Sequence, residues 1–121
     1  MLKNLMLVGL GGAIGTMLRF AVYALYKNPH FPFATLFINI AGSLLIGMLL
    51  GFAIRDINFE SNWKVFLSTG VCGGFTTFSA FSLENLQLLQ QGKYSLSILY
   101  IGCSIGGGLI AVFAGYKMII N

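Results

Sequence analysis

The sequence predicts an all-α membrane protein with four transmembrane helices, and its composition and the spacing of its charges both support this fold class. Of the 121 residues, 57% are hydrophobic and 8% are charged, whereas roughly 25% are charged in ordinary soluble domains. So few polar side chains cannot cover the surface of a water-soluble globule of this size. We therefore expect a single domain, residues 1–121, embedded in the lipid of a membrane.

Charged residues separate four apolar stretches, each of which is long enough to cross a bilayer. A spanning helix needs about 20 mainly apolar residues, because no backbone polar group can be left unpaired in hydrocarbon. The breaks between the stretches contain prolines, asparagines and glycine, which favour turns. The predicted spans cover approximately residues 5–26, 33–54, 63–89 and 94–120.

The positive charges are scattered along the chain and distinguish the two membrane sides only weakly. Because the net charge of +4 forms no basic patch, nucleic acid is a poor candidate partner. Lysines and arginines at span ends orient membrane proteins, and four of them fall on one side against two or three on the other. One hypothesis is that the chain inserts both ways and pairs with an inverted copy of itself. The first side has Lys3, Arg55, Lys64 and Lys117, and the second has Lys27 and Lys93, with Arg19 nearby.

Small residues recur four positions apart on all four spans. Helices in lipid associate through close backbone approach along such strips. Packing within one subunit accounts for some of the strips, but their number predicts an oligomer. They are Gly11 and Gly15; Ser43, Gly47 and Gly51; Gly70 and Gly74; Gly102 and Gly106; and Gly107, Ala111 and Gly115.

Polar side chains within the spans are costly unless they meet a partner or a watery cavity. Asn39 lies four residues after Thr35 on one helix face, and it is equally well explained by interhelical hydrogen bonding or by pore lining. Tyr100 and Ser104 lie four residues apart on the fourth span, so their hydroxyls follow one stripe. Hydroxyls and an amide are neutral donors that an anion can approach without being trapped.

The two charged residues within spans have two interpretations each. Arg19 lies close enough to the end of the first span to reach the interface, or it contributes to a vestibule that attracts ions. Glu84 is the only carboxylate within a span. It is either solvated at the mouth of the third helix or hydrogen-bonded inside a cavity.

The third span contains the strongest local signal. Paired glycines followed by two threonines make a poor continuous helix, so we expect a break between Gly73 and Thr77. Non-helical backbone at membrane depth is tolerated only in protein or facing water, where it can bind ions. Beyond the break, Phe78 and Phe81 share a helix face, and the edge of an aromatic ring is its positive end. The sequence therefore predicts an ion site here.

These residues resemble the CrcB/Fluc family of fluoride channels along nearly the whole chain. The matching segments are residues 11–15 with Arg19 and Phe20, residues 32–39 with Gly42, and residues 73–82 with Glu84. The resemblance implies an antiparallel, dual-topology homodimer with two fluoride pathways. It also implies passive export of fluoride from microbial cells across the plasma or inner membrane.

The resemblance further implies roles for individual residues. Fluoride would pass the ring edges of Phe78 and Phe81, the Asn39 amide, and a polar track that includes Ser79, Thr35, Tyr100 and Ser104. A structural sodium ion at the dimer centre would be held by the backbone carbonyls of Gly73 and Thr76 from both subunits. We expect selectivity for fluoride over chloride only because of the resemblance, since the residues by themselves do not predict it.

Two other classes of membrane protein compete with this interpretation. A proton-coupled small multidrug transporter has a similar length, but it uses a carboxylate in the first span, so here Glu84 would have to serve. A non-catalytic membrane assembly subunit would use the glycines and aromatic residues only for packing. The chain is not expected to be an enzyme, because its sole histidine, His30, lies in a loop and no nucleophile with a base is visible.

Overall fold

The computed structural model describes residues 1–56 and 58–121. Residues Ser61–Gln90 together form the third span, so the described residues contain four helical stretches that are long and apolar enough to cross a membrane. This confirms the predicted all-helical, four-span architecture. The elements are α1 (Leu2–Leu25), α2 (Phe33–Arg55), α3 (Ser61–Lys64), a π-helical stretch (Val65–Cys72), α4 (Gly73–Phe75), α5 (Ser79–Gln90) and α6 (Tyr94–Ile120).

The loop between α1 and α2 is ordered by an asparagine. The side-chain Oδ1 of Asn28 accepts hydrogen bonds from the backbone N–H groups of His30, at 2.8 Å, and Phe31, at 3.3 Å. Asparagine commonly stabilises turns in this way. Pro32 then directly precedes α2, and a proline fits there because its missing N–H has no partner at a helix start.

Two further helix ends are also stabilised locally. Gly92, between α5 and α6, adopts a φ of 76°, a left-handed conformation that suits glycine. At the end of α2, Nη1 of Arg55 donates a 2.9 Å hydrogen bond to the carbonyl of Ile119. This bond satisfies a carbonyl in the last turn of α6, where no intrahelical donor follows. Ile57, in the break between the second and third spans, lies outside the described residues.

The helices pack as two pairs, α1 against the third span and α2 against α6. Glycine permits both close approaches. A Cβ added at Gly15 would collide with the backbone at Val71 and Phe75, and one added at Gly47 would collide with the backbone of Val112. By contrast, Gly102 and Gly106 of α6 have no atom within 4 Å of an added Cβ. The strips on α1 and α2 therefore mediate helix packing within the chain, whereas the Gly102–Gly106 strip faces outward.

The third span leaves the helical conformation slightly later than the paired glycines suggest. Residues Gly73–Phe75 form a helical turn, and an added Cβ at Gly74 would collide with the backbone of Gly12 in α1. Gly74 thus serves helix packing. The residues outside a helix are 76–78, and Thr76 is extended, with φ −78° and ψ 157°.

We expect Gly15→Ala to destabilise the protein by about 1–3 kcal/mol, since the new methyl group overpacks a contact made by backbone atoms that cannot move aside. Thermal unfolding of the purified protein in detergent measures the loss. The matched control is Gly9→Ala on the same helix, where an added Cβ meets nothing within 4 Å. Equal losses of stability in the two variants would contradict this account of the packing.

Candidate functional site

The centre of the site is a double hydrogen bond between a side chain and the non-helical backbone. Nδ2 of Asn39 donates to the carbonyl of Thr77, and Oδ1 of Asn39 accepts from the N–H of Thr77, both at 2.9 Å. Because a backbone N–H can only donate, this pairing fixes the orientation of the amide. Asn39 on α2 therefore holds the third span at the residues where its helix is interrupted.

Two backbone donors at the interruption bond to side chains and not to their usual helical partners. In a continuous helix, the N–H of Thr77 would bond to the carbonyl of Gly73, but here it bonds to Asn39. The N–H of Ala80 would bond to the carbonyl of Thr76, but it donates to Oγ1 of Thr77 at 3.2 Å. Thr77 thereby caps the start of α5. The carbonyls of Gly73 and Thr76 lose these two helical donors.

A cavity of about 460 Å³ adjoins the interrupted segment. Its wall includes the side chains of Asn39, Thr76, Phe78, Phe81 and Ser104. Oγ of Ser104 is buried and has no hydrogen-bond partner in the structure. Phe78 is 78% exposed in the single subunit, and its ring centroid lies 5.7 Å from that of Phe81. The cavity therefore combines aromatic rings with neutral polar groups.

A second cluster of polar side chains surrounds Glu84 on α5. Oγ1 of Thr35 donates to Oε2 of Glu84 at 2.9 Å, and the hydroxyl of Tyr100 donates to Oε1 at 2.8 Å. The hydroxyl of Tyr23 lies 2.8 Å from Oγ1 of Thr35 and donates to it, because the hydrogen of Thr35 is already given to Glu84. Thr35 and Tyr100 are completely buried. Three hydroxyls thus form a network that ends on one carboxylate.

Arg19 lies beside this network. It lines a cavity of about 430 Å³ together with Tyr23, Thr77, Ser79 and Glu84. Oγ of Ser79 is also 3.3 Å from Oγ1 of Thr77. The two charged residues that the sequence singles out within spans therefore share one cavity, and that cavity is adjacent to the residues beyond the interruption.

The predicted site residues fall into two groups, which meet at an aromatic contact. Asn39, Phe78 and Ser104 surround the first cavity, as do Gly73 and Thr76, whereas Thr35 and Tyr100 bind Glu84. The rings of Phe81 and Tyr100 join the groups, with centroids 5.0 Å apart. Their roles toward an ion stay predictions.

Sequence reasoning missed two residues of this arrangement. Thr77 was expected only to weaken the helix, yet it binds Asn39 and caps α5. Tyr23 supplies a hydroxyl from α1 to the Glu84 network. Its position four residues after Arg19, and so on the same helix face, is a signal that could have identified it.

Together, the fold and the site define a multi-pass membrane protein with cavities beside an interrupted helix, and the walls of these cavities include several polar side chains. Residues 6–116 match the family described as CrcB-like protein, Camphor Resistance (CrcB). The chain belongs to this family.

Several relatives match almost end to end. A protein of Azobacteroides pseudotrichonymphae is 46% identical over 96% of this chain and 95% of its own length. A protein of Rhizobium meliloti is 44% identical, over 97% and 96% respectively. Both are named Fluoride-specific ion channel FluC. Fluoride-specific ion channel FluC 1 of Listeria monocytogenes is 45% identical over 98% of each chain.

We expect Asn39→Ala to destabilise the protein by about 1–3 kcal/mol, because it leaves the N–H and carbonyl of Thr77 without their partner. Thermal unfolding in detergent checks this value. Ser43→Ala is the matched control, since it removes a hydroxyl from the same helix and the same cavity. If the two variants unfold at the same temperature, the double hydrogen bond does not stabilise the interrupted segment.

Proposed function

We propose that the protein is a fluoride-selective ion channel that lets fluoride leave the cell passively. The observation that carries the proposal is the combination of family membership with relatives of nearly equal length that are named fluoride-specific channels. The cavity beside residues 76–78 supports it, because ring edges and neutral donors are the groups that a small anion needs there.

Fluoride holds its water tightly, so a pathway must replace that water with donors that are close and numerous. The donors must also release the ion again, which neutral groups allow more readily than a fixed positive charge. The amide of Asn39 has one hydrogen on Thr77 and a second that remains for an ion. The hydroxyl of Ser104 has no protein partner, and the edges of Phe78 and Phe81 carry partial positive charge.

The proposed pathway runs from the first cavity to the Glu84 network. Fluoride passes the rings of Phe78 and Phe81 and the amide of Asn39, and Ser104 lines the same cavity. Beyond the Phe81–Tyr100 contact, the polar track continues with Thr35 and Tyr100, whose hydroxyls donate to Glu84. Ser79, Arg19 and Glu84 line the adjoining cavity, which acts as the vestibule.

The interruption of the third span lies near the middle of the membrane in this proposal. Residues 76–78 stand about halfway along Ser61–Gln90, a stretch of 30 residues. Backbone outside a helix is tolerated at that depth because it is bonded to Asn39 and faces a cavity whose wall includes polar side chains.

A second, inverted copy of the chain completes the pathway in this proposal. The cavity is open on one side, and Phe78 is largely exposed in the single subunit. The outward strip of Gly102 and Gly106 permits close helix approach to another subunit. The weak bias of positive charge is compatible with insertion in both orientations.

A structural sodium ion binds at the centre of the proposed dimer. The carbonyls of Gly73 and Thr76 fit such an ion, because their helical donors have been diverted to Asn39 and to Oγ1 of Thr77. In the part of the chain that the structure describes, no three His, Cys, Asp or Glu side chains come together. Backbone oxygens are therefore the ligands on offer, and they suit a hard monovalent cation.

Fluoride efflux from liposomes, recorded with a fluoride electrode, tests the channel function. We expect the liposomes to release fluoride but not chloride, and to do so without a proton gradient. Dependence of the efflux on that gradient would indicate a coupled transporter. Phe78→Ile and Phe81→Ile should each slow efflux roughly tenfold, since isoleucine has no positive edge. Phe113→Ile is the matched control, because Phe113 is exposed on α6 and packs under Lys117. Unchanged flux in both pathway variants would contradict the assignment.

Epitope tags on both termini test the inverted arrangement. We expect roughly half of the molecules to be labelled from each side of the membrane, because the charge bias is small. Replacing Lys27 and Lys93 by Gln increases the bias and should orient all molecules one way, with loss of fluoride efflux. Labelling of the unaltered protein from one side only would exclude the inverted dimer.

A further inference from the structure

The loop before α2 places an aromatic ring on the buried tyrosine that binds Glu84. The centroid of the Phe31 ring lies 5.6 Å from that of Tyr100, and the two planes meet at 74°. Edge-to-face pairs of this kind are favourable beyond the area that they bury. Tyr100 is completely buried and directs its hydroxyl to Oε1 of Glu84 at 2.8 Å. A loop residue thus contacts a ring whose orientation sets a hydrogen bond in the polar track.

Phe31 is itself held by the loop backbone. Its N–H donates to Oδ1 of Asn28, and its carbonyl accepts from the N–H of Phe33 at 2.9 Å. The ring of Phe33 packs against it, with centroids 4.7 Å apart. Pro32 follows directly and restricts the backbone further. The loop therefore presents Phe31 in one defined position.

Two aromatic rings contact Tyr100. Phe31 contacts its ring from the loop, and Phe81 contacts it from α5 with centroids 5.0 Å apart. A tyrosine ring turns about its side-chain bonds, and each ring packed against it restricts that rotation. Together, the two contacts favour the orientation in which the hydroxyl bonds to Glu84.

We propose that Phe31 is a positioning residue for ion passage, which acts by holding the Tyr100 hydroxyl on Glu84. This inference rests on the proposed fluoride-channel function. It assigns the loop between α1 and α2 a part in conduction although the loop supplies no ligand to the ion. Loss of the Phe31 ring lets the tyrosine hydroxyl leave Glu84 and interrupts the polar track at that point.

Fluoride efflux from liposomes that contain the full-length protein tests this role with three substitutions. Phe31→Leu keeps an apolar side chain but loses the ring, and it should slow efflux roughly two- to tenfold. Phe31→Tyr restores a ring and should restore the rate. Phe31→Leu added to Tyr100→Phe should have no further effect, because the hydroxyl that it positions is already absent. A purely structural role would give the same additional loss in both backgrounds.

Phe59→Leu is the matched control, since Phe59 is also a loop phenylalanine packed on an aromatic residue of a span, Phe52. The Phe59→Leu variant should pass fluoride at the same rate as the unaltered protein. If the unaltered protein conducts and Phe31→Leu conducts equally well, the positioning role is wrong while the channel function stands. If the unaltered protein does not conduct fluoride, the channel function itself fails. Should Tyr100→Phe conduct too little to measure, the comparison of Phe31→Tyr with Phe31→Leu decides, and equal rates in these two overturn the inference.

Discussion

The arrangement of the site depends on the two hydrogen bonds between Asn39 and the backbone of Thr77. An interrupted helix within an apolar chain leaves backbone groups without partners, and each such group is costly where water is scarce. Asn39 offsets this cost because it hydrogen-bonds to both the N–H and the carbonyl of Thr77. The side chain thereby acts as a substitute for one missing turn of helix, and it ties the interruption to α2 rather than leaving it free to move.

Close helix packing within each pair holds the helices that carry Asn39 and Thr77. Gly11 and Gly15 bring α1 against the third span, and Gly47 and Gly115 bring α2 against α6 through contacts between backbones. Lipid offers no strong hydrophobic reason for helices to associate, so such approach distances depend on the absence of side chains. Each helix pair is therefore closely packed, and the bonds of Asn39 and Glu84 join one pair to the other.

The sequence was sufficient to predict the four spans and most of the polar residues of the site, because the length of an apolar stretch and an isolated polar side chain are local signals. It was not sufficient for the partners of those residues. Asn39 could have bonded to any neighbouring helix, and only the packing shows that it binds Thr77. The paired glycines were expected to interrupt the third span, but Gly74 packs on Gly12, so the interruption follows at residues 76–78. A helix break and a helix contact have the same glycine signature, and only the neighbouring helix distinguishes them.

The unpartnered hydroxyl of Ser104 has a consequence for whatever fills the cavity beside it. A hydroxyl that is committed to no protein atom rotates at little cost, offering its hydrogen at one moment and its lone pairs at the next. In the proposed pathway, such a hydroxyl can donate to an anion and can equally bond to a water molecule that takes its place. Exchange between the two partners requires only rotation of the hydroxyl, with no rearrangement of the backbone.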